Sequence, residues 1–196
     1  MGHREQLLAG ARRCLYERGY ARTTARDIVA ACDANLASIG YHFGSKEALM
    51  SAALVEAFEE WGEEIDRVLF DASDASLTQR LESMWTGMVD SFTKHRPLWV
   101  AGVEAFALAD HLPELREKLA TSYAQARPSL ASVVVPLDED ERPDDRTLRA
   151  VGSFLLALMT GLSVQRLLDP ESAPSGHDML DALRTITEAV RESEAS

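Results

Sequence analysis

The side chains best suited to recognition chemistry lie between Thr23 and Lys46, in the stretch TTARDIVAACDANLASIGYHFGSK. If Leu36–Phe43 is a helix turning 100° per residue, Leu36, Ile39 and Phe43 fall within an arc about 60° wide and form its buried face. Ala37, Ser38, Tyr41 and His42 then occupy the opposite side. A solvent-facing helix normally shows Glu and Lys to water, so a small, polar and aromatic outer face is unusual. It suits entry into a DNA major groove: Ser bonds either base type and Ala methyls meet thymine methyls. Tyr and His donate hydrogen bonds to phosphates. Lys46 falls in the first turn of the next helix, against the helix dipole, where it and the free amides of that turn can hold a phosphate.

Enzyme chemistry lacks its parts. There is no glycine-rich phosphate loop and no nucleophile elbow, and no metal or other cofactor is expected. The five histidines (His3, His42, His95, His111, His177) are scattered, and Cys14 and Cys32 have no metal-ligand spacing. The cysteines read as buried thiols in a reducing cytoplasm. Charges interrupt every apolar run, so no membrane span is expected, and the N-terminus lacks the layout of a signal peptide. The net charge is −12. Residues 1–47 hold seven Lys/Arg against five Asp/Glu, a net +2, which leaves −14 on residues 48–196. A mildly basic head on an acidic body orients head-first toward a polyanion.

The elements that position these residues read as helices throughout, because apolar residues recur at three-to-four spacing and strand patterns are missing. The first helix spans about His3 to Arg18 and stops at Gly19. Thr24-Ala25-Arg26-Asp27 has capping-box spacing for a second, ending near Ala31. Cys32-Asp33-Ala34 is the turn, Asn35 caps the third helix, and Gly44 ends it. Ser45 caps a fourth that continues to about Phe70. Five more follow: Ser76 to Thr93, Pro97 to Ala109, Pro113 to Val135 with a kink or break at Pro128, Asp144 or Asp145 to Leu168, and His177 to Arg191. The acidic loop Leu137–Asp145 reads as exposed and mobile. The fold class is all-α, with about nine helices.

The segment GYARTTARDIVAACDANLASIGYHFGSKEALM resembles the N-terminal module of the tetracycline-repressor (TetR) family of transcriptional regulators over roughly residues 4–50. Gly19-Tyr20, Thr24, Asp27-Ile28, Tyr41-His42-Phe43 and Ser45-Lys46-Glu47 carry the match. The resemblance implies a three-helix helix-turn-helix DNA-binding domain over 1–47. A larger helical ligand-sensing and dimerisation domain over 48–196 would follow, its last two long helices pairing across a two-fold axis. It further implies that Thr24, Tyr41, His42 and Lys46 hold the DNA backbone while Ala37 and Ser38 face bases. Two positions depart from the family pattern. Asp33 stands where Gly is usual, so the turn must accept an L-residue. Gly40 stands where many members place a DNA-reaching Tyr or Asn; it permits close packing or close approach to DNA, or is a tolerated weakness.

Two readings of the body follow. Val151–Leu168 is apolar around most of its circumference, which demands burial on several sides, in a dimer interface or as an ordinary core helix. Trp85, Met88, Phe92, Trp99, Phe106, Tyr123, Phe154 and Met159 can line a pocket for an apolar or aromatic effector or serve as core. Glu104, within the apolar run Val100–Ala109, either faces that pocket or bonds a neighbouring helix. The expected protein is a cytoplasmic, homodimeric regulator, a repressor that binds a near-palindromic double-stranded operator and is released by a small molecule. The alternative is a helical dimeric interaction module with a degenerate DNA head, suggested by the absence of Arg and Lys from Leu36–Phe43.

Overall fold

The computed structural model describes residues 2–71, 75–135 and 144–195. Among the described residues there are nine α-helices and no strand: α1 His3–Arg18, α2 Ala25–Cys32, α3 Leu36–Phe43, α4 Lys46–Asp71, α5 Leu77–Lys94, α6 Arg96–Leu108, α7 Pro113–Ser132, α8 Asp145–Leu168 and α9 Gly176–Glu194. The chain forms two compact units, one of Met1–Gly62 with His95–Gln125 and one of Glu63–Lys94 with Ala126–Ser196.

In the first unit α1 packs on α2, α3 and α6. The apolar stripe Leu7, Leu8, Ala11 and Leu15 is buried with Ile28, Ile39, Leu49, Leu54, Leu98 and Ala101 in one core. Removing such surface from water is worth about 25 cal/mol per Å², so this core fixes how the short helices sit. Gly10 makes the α1–α2 approach possible: a Cβ there would lie 2.9 Å from Cys32 Cβ and 3.0 Å from the Ile28 carbonyl oxygen. Arg12 of α1 donates from Nη1 and Nη2 to the Glu60 carboxylate on α4, with Glu56 at 3.7 Å.

In the second unit α5 packs against α9 and α8. Met84, Trp85, Met88, Phe92, Leu155, Met159, Leu162 and Leu180 are buried. Gly152 is required by close approach, since a Cβ would fall 2.2 Å from the Arg127 carbonyl oxygen, whereas Gly161 faces open space.

Several expectations change. α7 is not broken at Pro128 but runs through it to Ser132, short of Val135; proline's fixed φ is itself helical and its insertion removes one backbone bond. Asp144 is the α8 cap, its side chain accepting from the Thr147 amide. Residues 137–143 of the expected acidic loop lie outside the described residues. Leu36, expected on the buried face of α3, is 50% exposed. As the first residue of that helix, its side chain points back past the helix end, beyond the core beneath Ile39. Cys32 is half-buried rather than buried, its thiol donating to the Ile28 carbonyl oxygen.

α8 corrects one further expectation, that charges interrupt every long apolar run. Its charges cluster at the ends, so an 18-residue window reaches a mean hydropathy of 1.5, long and apolar enough to cross a membrane by length and composition alone. Within the single chain its Phe154, Val164 and Leu168 are exposed, Leu168 by 81%.

Candidate nucleic-acid interface

The start of α2 is held by a reciprocal cap. Thr24 Oγ1 donates to Asp27 Oδ2 at 2.6 Å, the Thr24 amide donates to the same oxygen at 2.9 Å, and the Asp27 amide returns a bond to Thr24 Oγ1 at 3.2 Å. These bonds, with Arg18 Nη1 at 2.9 Å from Oδ1, hold the Asp27 carboxyl below the usual carboxylate range, the Thr24 hydroxyl contributing most. The short Asp thus completes a box usually closed by Glu. In consequence the Thr24 hydroxyl is committed to Asp27, and a phosphate reaching it must compete for that proton.

The turn accepts its L-residue: Asp33 closes α2 in the left-handed region at φ 51°, where Asp is among the better-tolerated side chains. Asn35 Oδ1 then accepts from the Ser38 amide at 2.9 Å and from the Ser38 hydroxyl at 3.1 Å, starting α3. Gly44, at φ 80°, ends it.

α3 presents Ala37 and Tyr41 to solvent, with Ser38 and His42 half-buried. Tyr41 is 85% exposed, and its ring meets His42 edge-on at 4.8 Å. No polar partner in the first unit consumes the Tyr41 hydroxyl among the bonds described, so its donor faces outward. A Cβ on Gly40 would meet nothing within 4 Å. Packing therefore does not require glycine there, which leaves approach to DNA or a tolerated weakness.

At the start of α4, Ser45 Oγ accepts from the Ala48 amide at 2.9 Å. Lys46 is not a free surface cation: Nζ donates to the Thr23 carbonyl oxygen at 3.2 Å and lies 3.3 Å from Glu47 Oε1. An ammonium has three donors, so one remains for an outside acceptor.

The residues expected to line an effector pocket divide between the units. Trp99, Glu104, Phe106 and Tyr123 belong to the first; Trp85, Met88, Phe92, Phe154 and Met159 belong to the second. Trp99 is buried in a cluster with two aromatic residues that sequence reasoning passed over, Phe58 at 5.5 Å and Trp61 at 4.9 Å, all edge-on. Phe106 meets Tyr123 edge-on at 5.9 Å. The Glu104 carboxylate accepts from the Ala21 amide at 3.0 Å. The Trp85 indole N–H is buried without a hydrogen-bond partner. A separate open groove of about 390 Å³ runs along Val55, Glu59, Glu114, Glu117, Lys118 and Gln125, and none of the expected pocket residues lines it.

Sequence reasoning also missed two anchors of the turn before α2. The Tyr20 hydroxyl pairs with Ser51 Oγ at 2.9 Å, and buried Thr23 donates to the Gly19 carbonyl oxygen at 2.7 Å. The Gly19-Tyr20 motif was the available signal, but its partner lies 31 residues on.

Residues 7–53 match a family profile described as bacterial regulatory proteins, tetR family. Residues 77–192, more than half the chain, match one described as BetI-type transcriptional repressor, C-terminal. Among solved structures, a TetR-family transcriptional regulator from Rhodococcus sp. is 20% identical, with 95% of this chain and 97% of that chain covered and a TM-score of 0.66. The multidrug binding protein EbrR complexed with proflavin is 21% identical, covering 94% and 99%, with a TM-score of 0.65. The fatty acid degradation regulator FadR from Bacillus halodurans is 14% identical, covering 95% and 95%, with a TM-score of 0.66. At these identities the likeness is one of fold. No curated protein matches the sequence.

Proposed function

The chain belongs to the TetR family of transcriptional regulators, and on that premise we propose that it is a cytoplasmic repressor that binds a near-palindromic operator as a homodimer and is released by a small-molecule effector. The observation that carries the DNA reading is Tyr41, a large aromatic residue 85% exposed on the outer face of α3 beside Ala37, Ser38 and His42. In this reading residues 1–47 are the DNA-binding head and residues 48–196 the sensing and dimerising body. Ala37 and Ser38 face bases; Tyr41, His42 and Lys46 hold phosphates, and Thr24 joins them by turning its hydroxyl from Asp27.

The uncovered apolar residues of the C-terminal helices support a homodimer. Phe154 and Leu168 on α8 and Ile186 and Val190 on α9 are exposed in the single chain, and exposed apolar patches of this kind mark association surfaces. Two heads then meet half-sites one helical turn apart, roughly 34–36 Å. The repressor sign is supported by the repressor description of the matched C-terminal profile. An apolar or aromatic effector draws support from the buried aromatic residues of the body and from EbrR, a fold relative that holds proflavin. Release requires the effector to bind the DNA-incompetent state more tightly than the competent one.

Binding of the purified chain to the duplex around its own gene, compared with random duplex across a salt series, tests this reading. Tight, salt-sensitive and sequence-selective binding is the expected result. No preference over random DNA sinks it in favour of a helical dimeric interaction module.

A further inference from the structure

Glu104 is half-buried on α6, next to buried Ala105, yet its carboxylate serves a distant segment. Oε2 accepts from the amide of Ala21, in the turn that joins α1 to α2, at 3.0 Å. The approach is close enough to shape the turn itself. Gly19 has φ +84°, and a Cβ there would lie 2.9 Å from Glu104 Oε2 and 3.1 Å from Oε1. Residue 19 is glycine because of its left-handed backbone, and the Glu104 carboxylate lies in the space that a side chain there would enter.

The same turn is held from other sides. Thr23 donates to the Gly19 carbonyl oxygen at 2.7 Å, Lys46 donates to the Thr23 carbonyl oxygen at 3.2 Å, and the Tyr20 hydroxyl pairs with Ser51 at 2.9 Å. Thr24, the next residue, is the α2 cap. Glu104 is thus the contribution of α6 to a turn that fixes where the helix-turn-helix begins.

We propose that Glu104 is a positioning residue for DNA binding, holding the Ala21 amide so that the turn, and with it the start of α2, keeps the geometry the reading helix needs. This rests on the reading of Thr24–Lys46 as the DNA-contacting surface. Without the acceptor the turn samples other conformations, and apparent affinity falls with the fraction of molecules left in the competent one. The role asks for an acceptor oxygen, not for charge, so glutamine serves in place of glutamate.

The test compares the full chain with Glu104→Ala and Glu104→Gln. Amide exchange at Ala21 is read in the free protein, and affinity is read on a duplex that the wild-type chain selects from random-sequence DNA. An exposed hydrogen bond of this kind predicts Ala21 exchange about tenfold faster and affinity about threefold lower in Glu104→Ala. Exchange at the core amides of Leu7 and Leu15 should stay unchanged, and Glu104→Gln should remain near wild type on both readouts. Unchanged Ala21 exchange in Glu104→Ala overturns the proposal, as does faster exchange with unchanged affinity, or a Gln variant as impaired as Ala. If Glu104→Ala loses core protection, Glu104→Met, which keeps the length and lacks the acceptor, takes its place with the same expectations. A wild-type chain that selects no duplex sinks the DNA reading instead, and exchange at Ala21 still decides whether Glu104 holds the turn.

Discussion

Lys46 Nζ donates to the carbonyl oxygen of Thr23 at 3.2 Å, tying the first turn of α4 to the residue before the α2 cap. A cation at a helix N-terminus works against the dipole; here it has a backbone partner in the fold and a donor to spare. Lys46→Ala should therefore weaken binding to every duplex and lower the slope of log K against log salt by roughly 0.9 for each phosphate that Lys46 neutralises. A slope equal to wild type removes Lys46 from the interface and leaves it the structural role alone.

Tyr41 separates recognition from folding. Its side chain is almost fully in water, so Tyr41→Ala should change stability by no more than about 0.5 kcal/mol. DNA affinity should fall by more than for any body substitution that leaves association intact. Thermal melting beside duplex titration checks both, and equal losses for Tyr41→Ala and such a body variant would place DNA on another face of α3.

The α2 cap has a stability signature and a pH signature. Thr24→Ala should cost about 1 kcal/mol, the usual worth of such a cap, as read by denaturant unfolding. Asp27 is held below the usual carboxylate range chiefly by the Thr24 hydroxyl. A depressed carboxylate contributes stability that is present above its unfolded value and lost as pH falls through the lower folded value. Wild type should therefore lose this contribution only at acid pH, and Asp27→Ala should flatten that part of the pH–stability profile. An identical acid limb in the two proteins counts against the box.

Gly40 and Gly10 should respond in opposite directions. Space is open at Gly40, so Gly40→Ala should raise stability by up to about 1 kcal/mol through helix propensity. At Gly10 the added methyl meets Cys32 and the Ile28 carbonyl oxygen, and Gly10→Ala should cost roughly 1–3 kcal/mol. Paired melting curves decide, and a Gly40→Ala protein that melts lower than wild type contradicts the open geometry.

The exposed α9 pair Ile186 and Val190 tests self-association. Ile186→Glu should shift sedimentation toward the monomer and leave helicity by circular dichroism unchanged, because the side chain is 58% exposed in the single chain. A dimer of undiminished strength would place the association surface elsewhere.

What the sequence determined by itself was local. The caps at Thr24, Asn35 and Ser45, the stops at Gly19 and Gly44, and the outward side of α3 are set by neighbours within one helical turn, where residue type and 3.6-residue periodicity carry the information. Tertiary structure alone decided what those residues are bonded to. The Glu104–Ala21 bond spans 83 positions, the Tyr20–Ser51 pair 31 and the Lys46–Thr23 bond 23. The cover that stops short of Leu36, the close approach at Gly10, the uncovered face of α8 and the grouping of Phe58, Trp61 and Trp99 depend on which helices meet. Periodicity tells which face of a helix is apolar; it does not tell what lies opposite, because that is fixed by packing among segments far apart in the chain.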